Sequence, residues 1–244
     1  MPRPQDAAKP GPSLAIQEGH LEVTRTARFA QLGRIGAETR QIWFVCHGYR
    51  QLAARFIRRF TPLVDLGCVV VAPEALSRFY IDVAPGRHGS EARIGATWMT
   101  RADRETEIRD YVRYLDRLAA KLLDQPRPGG VQVVALGFSQ GGHTAVRWAA
   151  LGNTELDHLV VWGSYLPGDV TLPPDRPGRS LTLVYGDEDP TRDPSLERSQ
   201  EERILASGRS VMRRAHPGGH RIHDETLIQL AHGFSGASGT QGAP

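Results

Sequence analysis

Lysine is nearly absent. Of 30 basic residues only Lys9 and Lys121 are lysines, and the rest are arginines. Cysteine is as scarce. The chain of 244 residues has two, Cys46 and Cys68, and both lie inside apolar runs. A disulfide framework or a cysteine-ligated metal site is therefore excluded, and buried thiols of a reducing compartment are expected. No apolar run approaches the roughly 20 residues of a membrane-spanning helix. Residues 1–9 also lack the apolar centre of a signal peptide, so a cytoplasmic location without a membrane span is expected. Aromatics make up 7% of the chain, and acids are interleaved with the arginines to leave a net charge of +3. No basic stretch carries alternating aromatics, which argues against a nucleic-acid partner. No spacing of His, Asp and Glu resembles a zinc site, and neither a metal nor any other cofactor is expected.

What is present suffices for a sizeable core, since 40% of residues are hydrophobic. Residues 1–15 and 233–244 are rich in Pro, Gly and small polar residues. They are expected to be a disordered segment and a flexible tail around one domain at 16–232. Continuous apolar runs at 42–46, 68–72, 131–136, 159–162 and 181–185 predict strands buried on both faces. Helical spacing predicts helices at 51–60, 103–123, 140–151, 195–207 and 224–232. A short strand is predicted at 210–214. Residues 20–32 alternate as an edge hairpin would, whereas 76–100 show neither period and are expected to be a long excursion. Alternating strands and helices predict a mostly parallel central sheet with helices on both faces. Ligands then bind beyond the carboxyl ends of the strands.

The sharpest motif, Gly137-Phe138-Ser139-Gln140-Gly141, directly follows a predicted strand and opens a predicted helix. That context suits a G-x-S-x-G elbow, which lifts a serine hydroxyl off the sheet edge at a helix N-terminus. The alternative is a Gly-rich turn with a serine N-cap. A second glycine, Gly142, weakens the first helical turn, which a simple cap does not require. A serine nucleophile needs a base held by an acid. Downstream, Gly186-Asp187-Glu188-Asp189-Pro190 places carboxylates after one predicted strand, and His216-Pro217-Gly218-Gly219-His220 follows another.

With His47-Gly48 after the first buried strand, these stretches resemble the phospholipase/carboxylesterase branch of the α/β-hydrolases, which includes the acyl-protein thioesterases. The resemblance covers residues 42 to about 225. It implies the single-domain α/β-hydrolase fold, with Ser139 as nucleophile, Asp189 as acid (Asp187 the runner-up) and His220 as base (His216 the runner-up). It also implies an oxyanion hole from the N–H groups of Gln140 and Tyr49. The chain departs from the branch at Tyr49-Arg50, where a glycine is usual, and at Arg192, where valine is common. His47 is expected to buttress the oxyanion loop, and His143 to be a core or pocket-wall residue.

Residues 76–100 are expected to form a pocket wall or lid. Candidates for substrate contact are Phe79, Tyr80, Trp98 and Met99, with Trp162, Tyr165 and Arg50. If Arg50, Arg78, Arg87 and Arg192 face the pocket, an acidic or carbonyl-rich substrate suits them. The implied function is a serine carboxylesterase acting on a small-molecule acyl ester through an acyl-enzyme. The alternatives are an acyl thioesterase or lysophospholipase or, in another class, a non-catalytic hydrolase-fold binding protein. Monomer and homodimer both remain open.

Overall fold

A computed structural model describes residues 16–81, 89 and 92–237, with only the backbone for the last two. The predicted disordered segment 1–15 and residues 238–244 lie outside the described residues, as does Arg87. Strands β1 (Phe29–Leu32), β2 (Gln41–Cys46), β3 (Cys68–Pro73), β6 (Gln132–Phe138), β7 (His158–Trp162), β8 (Ser180–Gly186) and β9 (Met212–His216) form one sheet, in the order β1-β3-β2-β6-β7-β8-β9. All neighbours are parallel except β1, which caps the edge antiparallel to β3. A second, two-stranded antiparallel sheet joins β4 (Ser77–Tyr80) to β5 (Ile94–Thr97). Helices are α1 (Ala53–Phe56), α2 (Arg104–Leu123), α3 (Gln140–Leu151), α4 (Pro194–Ala206) and α5 (Asp224–Ala237). Among the described residues no helix is long and apolar enough to cross a membrane.

The strands bury both faces because side chains alternate across a pleated sheet. Ile42, Phe44, Val71, Ala135, Val161 and Leu183 face one core, with Tyr111 and Leu115 of α2 and Trp148 of α3. Trp43, Val45, Val70, Val134, Val160 and Val184 face the other, with Phe56, Phe60 and, from α5, Leu227 and Phe234. Cys46 and Cys68 are both buried and free. Burial pushes the Cys68 thiol up to about 11 and the Cys46 thiol further still.

Four expectations from the sequence change. The edge hairpin at 20–32 is a single strand, β1, after a segment without regular secondary structure on which Leu21 and Val23 are exposed. The helix expected at 51–60 has one α turn and then runs as a 3-10 helix, Ile57–Leu66, around Pro62, which lacks an N–H to donate. The excursion at 76–100 holds the β4–β5 hairpin, whose four-residue strands are too short to show a period. Residues 233–237, expected in the tail, belong to α5, which continues to Ala237. Phe234 is buried there against Trp43 (5.7 Å) and His158 (3.9 Å), and its carbonyl accepts from Gln132 Nε2 at 3.0 Å.

Candidate active site

Ser139 stands between β6 and α3 with φ 54° and ψ −122°, a conformation that costs a non-glycine residue on the order of 1–3 kcal/mol. Its side chain caps nothing, so the serine N-cap alternative is not realised. Its N–H donates to Trp162 O at 2.9 Å. The flanking glycines let the turn close. A Cβ on Gly137 would stand 2.1 Å from Gly141 O, one on Gly141 2.1 Å from Cys46 O, and one on Gly142 2.7 Å from Ser164 Cβ. Each meets backbone or a packed side chain, so none of the three sites accommodates a side chain without displacing the elbow.

Asp189 and His220 come together from the loops after β8 and β9. His220 Nδ1 lies 2.7 Å from Asp189 Oδ2, placed to donate to it. Asp189 is only 6% exposed, and its Oδ1 accepts from the N–H (2.9 Å) and hydroxyl (2.6 Å) of Thr191. Burial pushes its carboxyl upward, but the bonds from Thr191 and His220 together outweigh that and hold it below its ordinary value. The acid therefore stays an anion at neutral pH. Asp187, by contrast, is exposed. The His220 ring also lies 4.7 Å from that of Phe138, the residue before the serine. No hydrogen bond joins His220 to the Ser139 hydroxyl among the described residues, and such a contact often tightens only when substrate binds. His216 does not join this group. It is buried, accepts from Trp162 Nε1 at 3.1 Å and stacks on His223 at 5.4 Å.

The oxyanion candidates come from the ends of β2 and β6. In the loop after β2, Gly48 N–H donates to Gln51 Oε1 (2.8 Å), Arg50 N–H to Ala96 O (3.0 Å) and Gln51 N–H to Gly48 O (3.2 Å). The N–H groups of Tyr49 and Gln140 donate to no described residue. His47 supports this loop. Its Nε2 accepts from Ala75 N–H at 3.1 Å, which leaves the proton on Nδ1, 2.8 Å from Gly48 O. Burial lowers the basicity of this ring, against the opposing pull of Gly48 O and Glu74. His143 is half-buried one turn into α3, and burial followed by the Arg147 charge lowers its basicity too.

The expected pocket residues separate. Trp98 and Trp162 are 3% and 0% exposed and sit in the core. Trp98 Nε1 donates to His47 O at 2.8 Å, and Trp162 Nε1 donates to Arg221 O at 2.9 Å. Phe79 is half-buried and stacks on Tyr49 at 5.3 Å, and Tyr49 itself is 53% exposed. Of the arginines, Arg78 pairs with buried Glu74 (3.1 Å) and Arg192 grips Glu197 through two bonds (2.7 and 3.0 Å). Arg50 is exposed, and its side chain has no partner among the described residues. Sequence reasoning missed the side chains of Thr191 and Gln140. An Asp-Pro-Thr turn is a signal for the first, because the hydroxyl two residues on reaches back to the carboxylate.

No protein-family model and no curated protein matches the sequence. Solved structures do. A carboxylesterase from Mesorhizobium loti is 18% identical, with a TM-score of 0.64 over 86% of this chain and 95% of that one. The esterase PE8 is 18% identical, with a TM-score of 0.63 over 87% and 100%. Acyl-protein thioesterase 2 of Zea mays is 16% identical, with a TM-score of 0.57 over 88% and 100%. At these identities the likeness is one of fold, and the chain has the α/β-hydrolase fold.

Proposed function

We propose that the chain is a serine carboxylesterase that hydrolyses small carboxylic esters through an acyl-enzyme. The observation that carries this reading is a strained serine elbow at the same sheet edge as a buried aspartate bonded to a histidine. His220 Nε2 takes the Ser139 proton as Oγ bonds to the acyl carbon. The N–H groups of Gln140 and Tyr49 stabilise the oxyanion. The carbonyl reforms, the alcohol leaves with the proton from His220, and water repeats the sequence in reverse to release the acid. Asp189 holds the imidazole with its proton on Nδ1 and stabilises the imidazolium while it exists. The stacked Tyr49 and Phe79 rings form the apolar side of the substrate entrance. The ester class is supported by the esterases that share the fold.

The test is a series of p-nitrophenyl esters of increasing acyl length, with matched thioesters, on the native protein and Ser139→Ala. A loss of kcat of about 10⁴-fold or more in a variant with unchanged circular dichroism is expected. Full activity in that variant overturns the reading. A rate higher on thioesters than on esters replaces it with thioesterase.

A further inference from the structure

The loop that offers the Tyr49 N–H is held by His47 at the end of β2 and also from outside the central sheet. Arg50 sits at φ 67°, which a non-glycine residue holds only where its surroundings impose it. The surroundings here are the β4–β5 hairpin. Arg50 N–H donates to Ala96 O at 3.0 Å, and Ala96 N–H donates to Gln51 O at 3.2 Å, so residues 50–51 lie on β5 like an added strand. Gly95 makes that approach possible, since a Cβ there would stand 2.7 Å from both Arg50 Cα and Arg50 O.

The far end of β5 is tied to the other oxyanion donor. The Gln140 amide Nε2 donates to Thr97 Oγ1 (2.9 Å) and Met99 O (3.1 Å), and its Oε1 accepts from Trp98 N–H (3.2 Å). One path of bonds therefore runs from Gln140 through Thr97 and Ala96 to Arg50, beside Tyr49. We infer that the β4–β5 hairpin is the gauge that sets the spacing of the two oxyanion donors, with Gly95 and Thr97 as positioning residues. This inference rests on the proposed esterase reading. It adds that the second donor is placed by an element outside the central sheet. It follows that distortion of the hairpin harms the transition state more than substrate binding, because the oxyanion forms only there.

The experiment compares Gly95→Ala, Thr97→Val and the control Gly129→Ala with the native enzyme. Gly129 lies in the loop before β6, where a Cβ would meet nothing within 4 Å. The readouts are kcat and KM on a short p-nitrophenyl ester, inhibition by butylboronic acid, whose adduct on serine is tetrahedral, and thermal unfolding. Removing an oxyanion donor outright costs ~10²–10³-fold, so displacing one in Gly95→Ala is expected to lower kcat about 10–100-fold with KM within about threefold. Boronate affinity is expected to fall by the same factor. Thr97→Val, which keeps the shape and removes the hydroxyl, is expected to lower kcat about 3–10-fold with the same split. Gly129→Ala is expected to match the native enzyme. The inference fails if folded Thr97→Val and Gly95→Ala keep native kcat and boronate affinity while Ser139→Ala is inactive. It also fails if KM alone changes. Activity surviving in Ser139→Ala sinks the esterase reading instead.

Discussion

Two imidazoles lie against phenylalanine rings at opposite ends of the parallel strands. His220, beyond the carboxyl end of β9, sits 4.7 Å from Phe138. His158, the first residue of β7, stacks at 3.9 Å on Phe234. Their surroundings differ in burial, since His158 is buried and His220 is partly exposed, and in the group that faces Nδ1. His220 has the buried Asp189 carboxylate 2.7 Å from Nδ1, whereas His158 has only the Ser180 hydroxyl at 2.8 Å. Burial without a counter-charge pushes His158 down to about 4. Such a ring packs as an aromatic disc. At the other end the buried Asp189 carboxylate, at hydrogen-bond distance from Nδ1, fixes the orientation of the His220 ring and supplies the counter-charge that His158 lacks. The carboxylate, not the aromatic neighbour, sets the proposed catalytic end of the sheet apart.

This contrast breaks most visibly at His220. Replacement by Ala is expected to lower kcat by about 10⁴-fold or more in an ester assay, with little change in unfolding temperature. Asp189→Asn keeps the shape and removes the charge, and a loss on the order of 10³–10⁴-fold in kcat is expected. At the other end, Phe234→Ala is expected to cost about 3–5 kcal/mol in urea unfolding while kcat of the folded fraction stays native. Acid sharpens the comparison further. The folded His158 binds a proton only near pH 4, whereas its ordinary value is 6.5. Its contribution is therefore complete above about pH 6.5 and is lost as the pH falls toward 4, by about 3 kcal/mol. Between those limits a His158→Gln variant is expected to show a flatter stability curve than the native chain. The smallest effect is expected at Asp187. This residue is exposed, and Asp187→Asn is expected to change kcat less than about twofold, whereas a large loss there moves the acid role away from Asp189.

The central strands were legible because five apolar runs have few other places to go than a doubly covered sheet. The serine elbow was legible because its glycines record a steric demand within a few residues. The four-residue strands of the hairpin left no trace, since register with Arg50 and Gln51 is a tertiary event. Trp98 and Trp162 read as pocket walls in sequence, because an aromatic near a strand end carries no sign of which way it turns. Both rings instead donate to backbone carbonyls inside the core. The end of α5 was lost in a Gly- and Ser-rich stretch. Phe234 alone signals burial there, and the matching partners are Gln41 and Gln132, which lie far away in the chain.

The two buried thiols occupy the two ends just contrasted. Cys46 closes β2 beside the elbow, where its carbonyl faces Gly141, and Cys68 opens β3 in register with Gln41. Each becomes an alkylation target only when its own end of the sheet exposes it to solvent. Timed iodoacetamide labelling, read residue by residue in a mass spectrometer, thus makes the unmodified protein its own two-channel opening recorder. Matched rates at Cys46 and Cys68 denote global unfolding, and a faster Cys46 denotes breathing confined to the serine's end of the sheet.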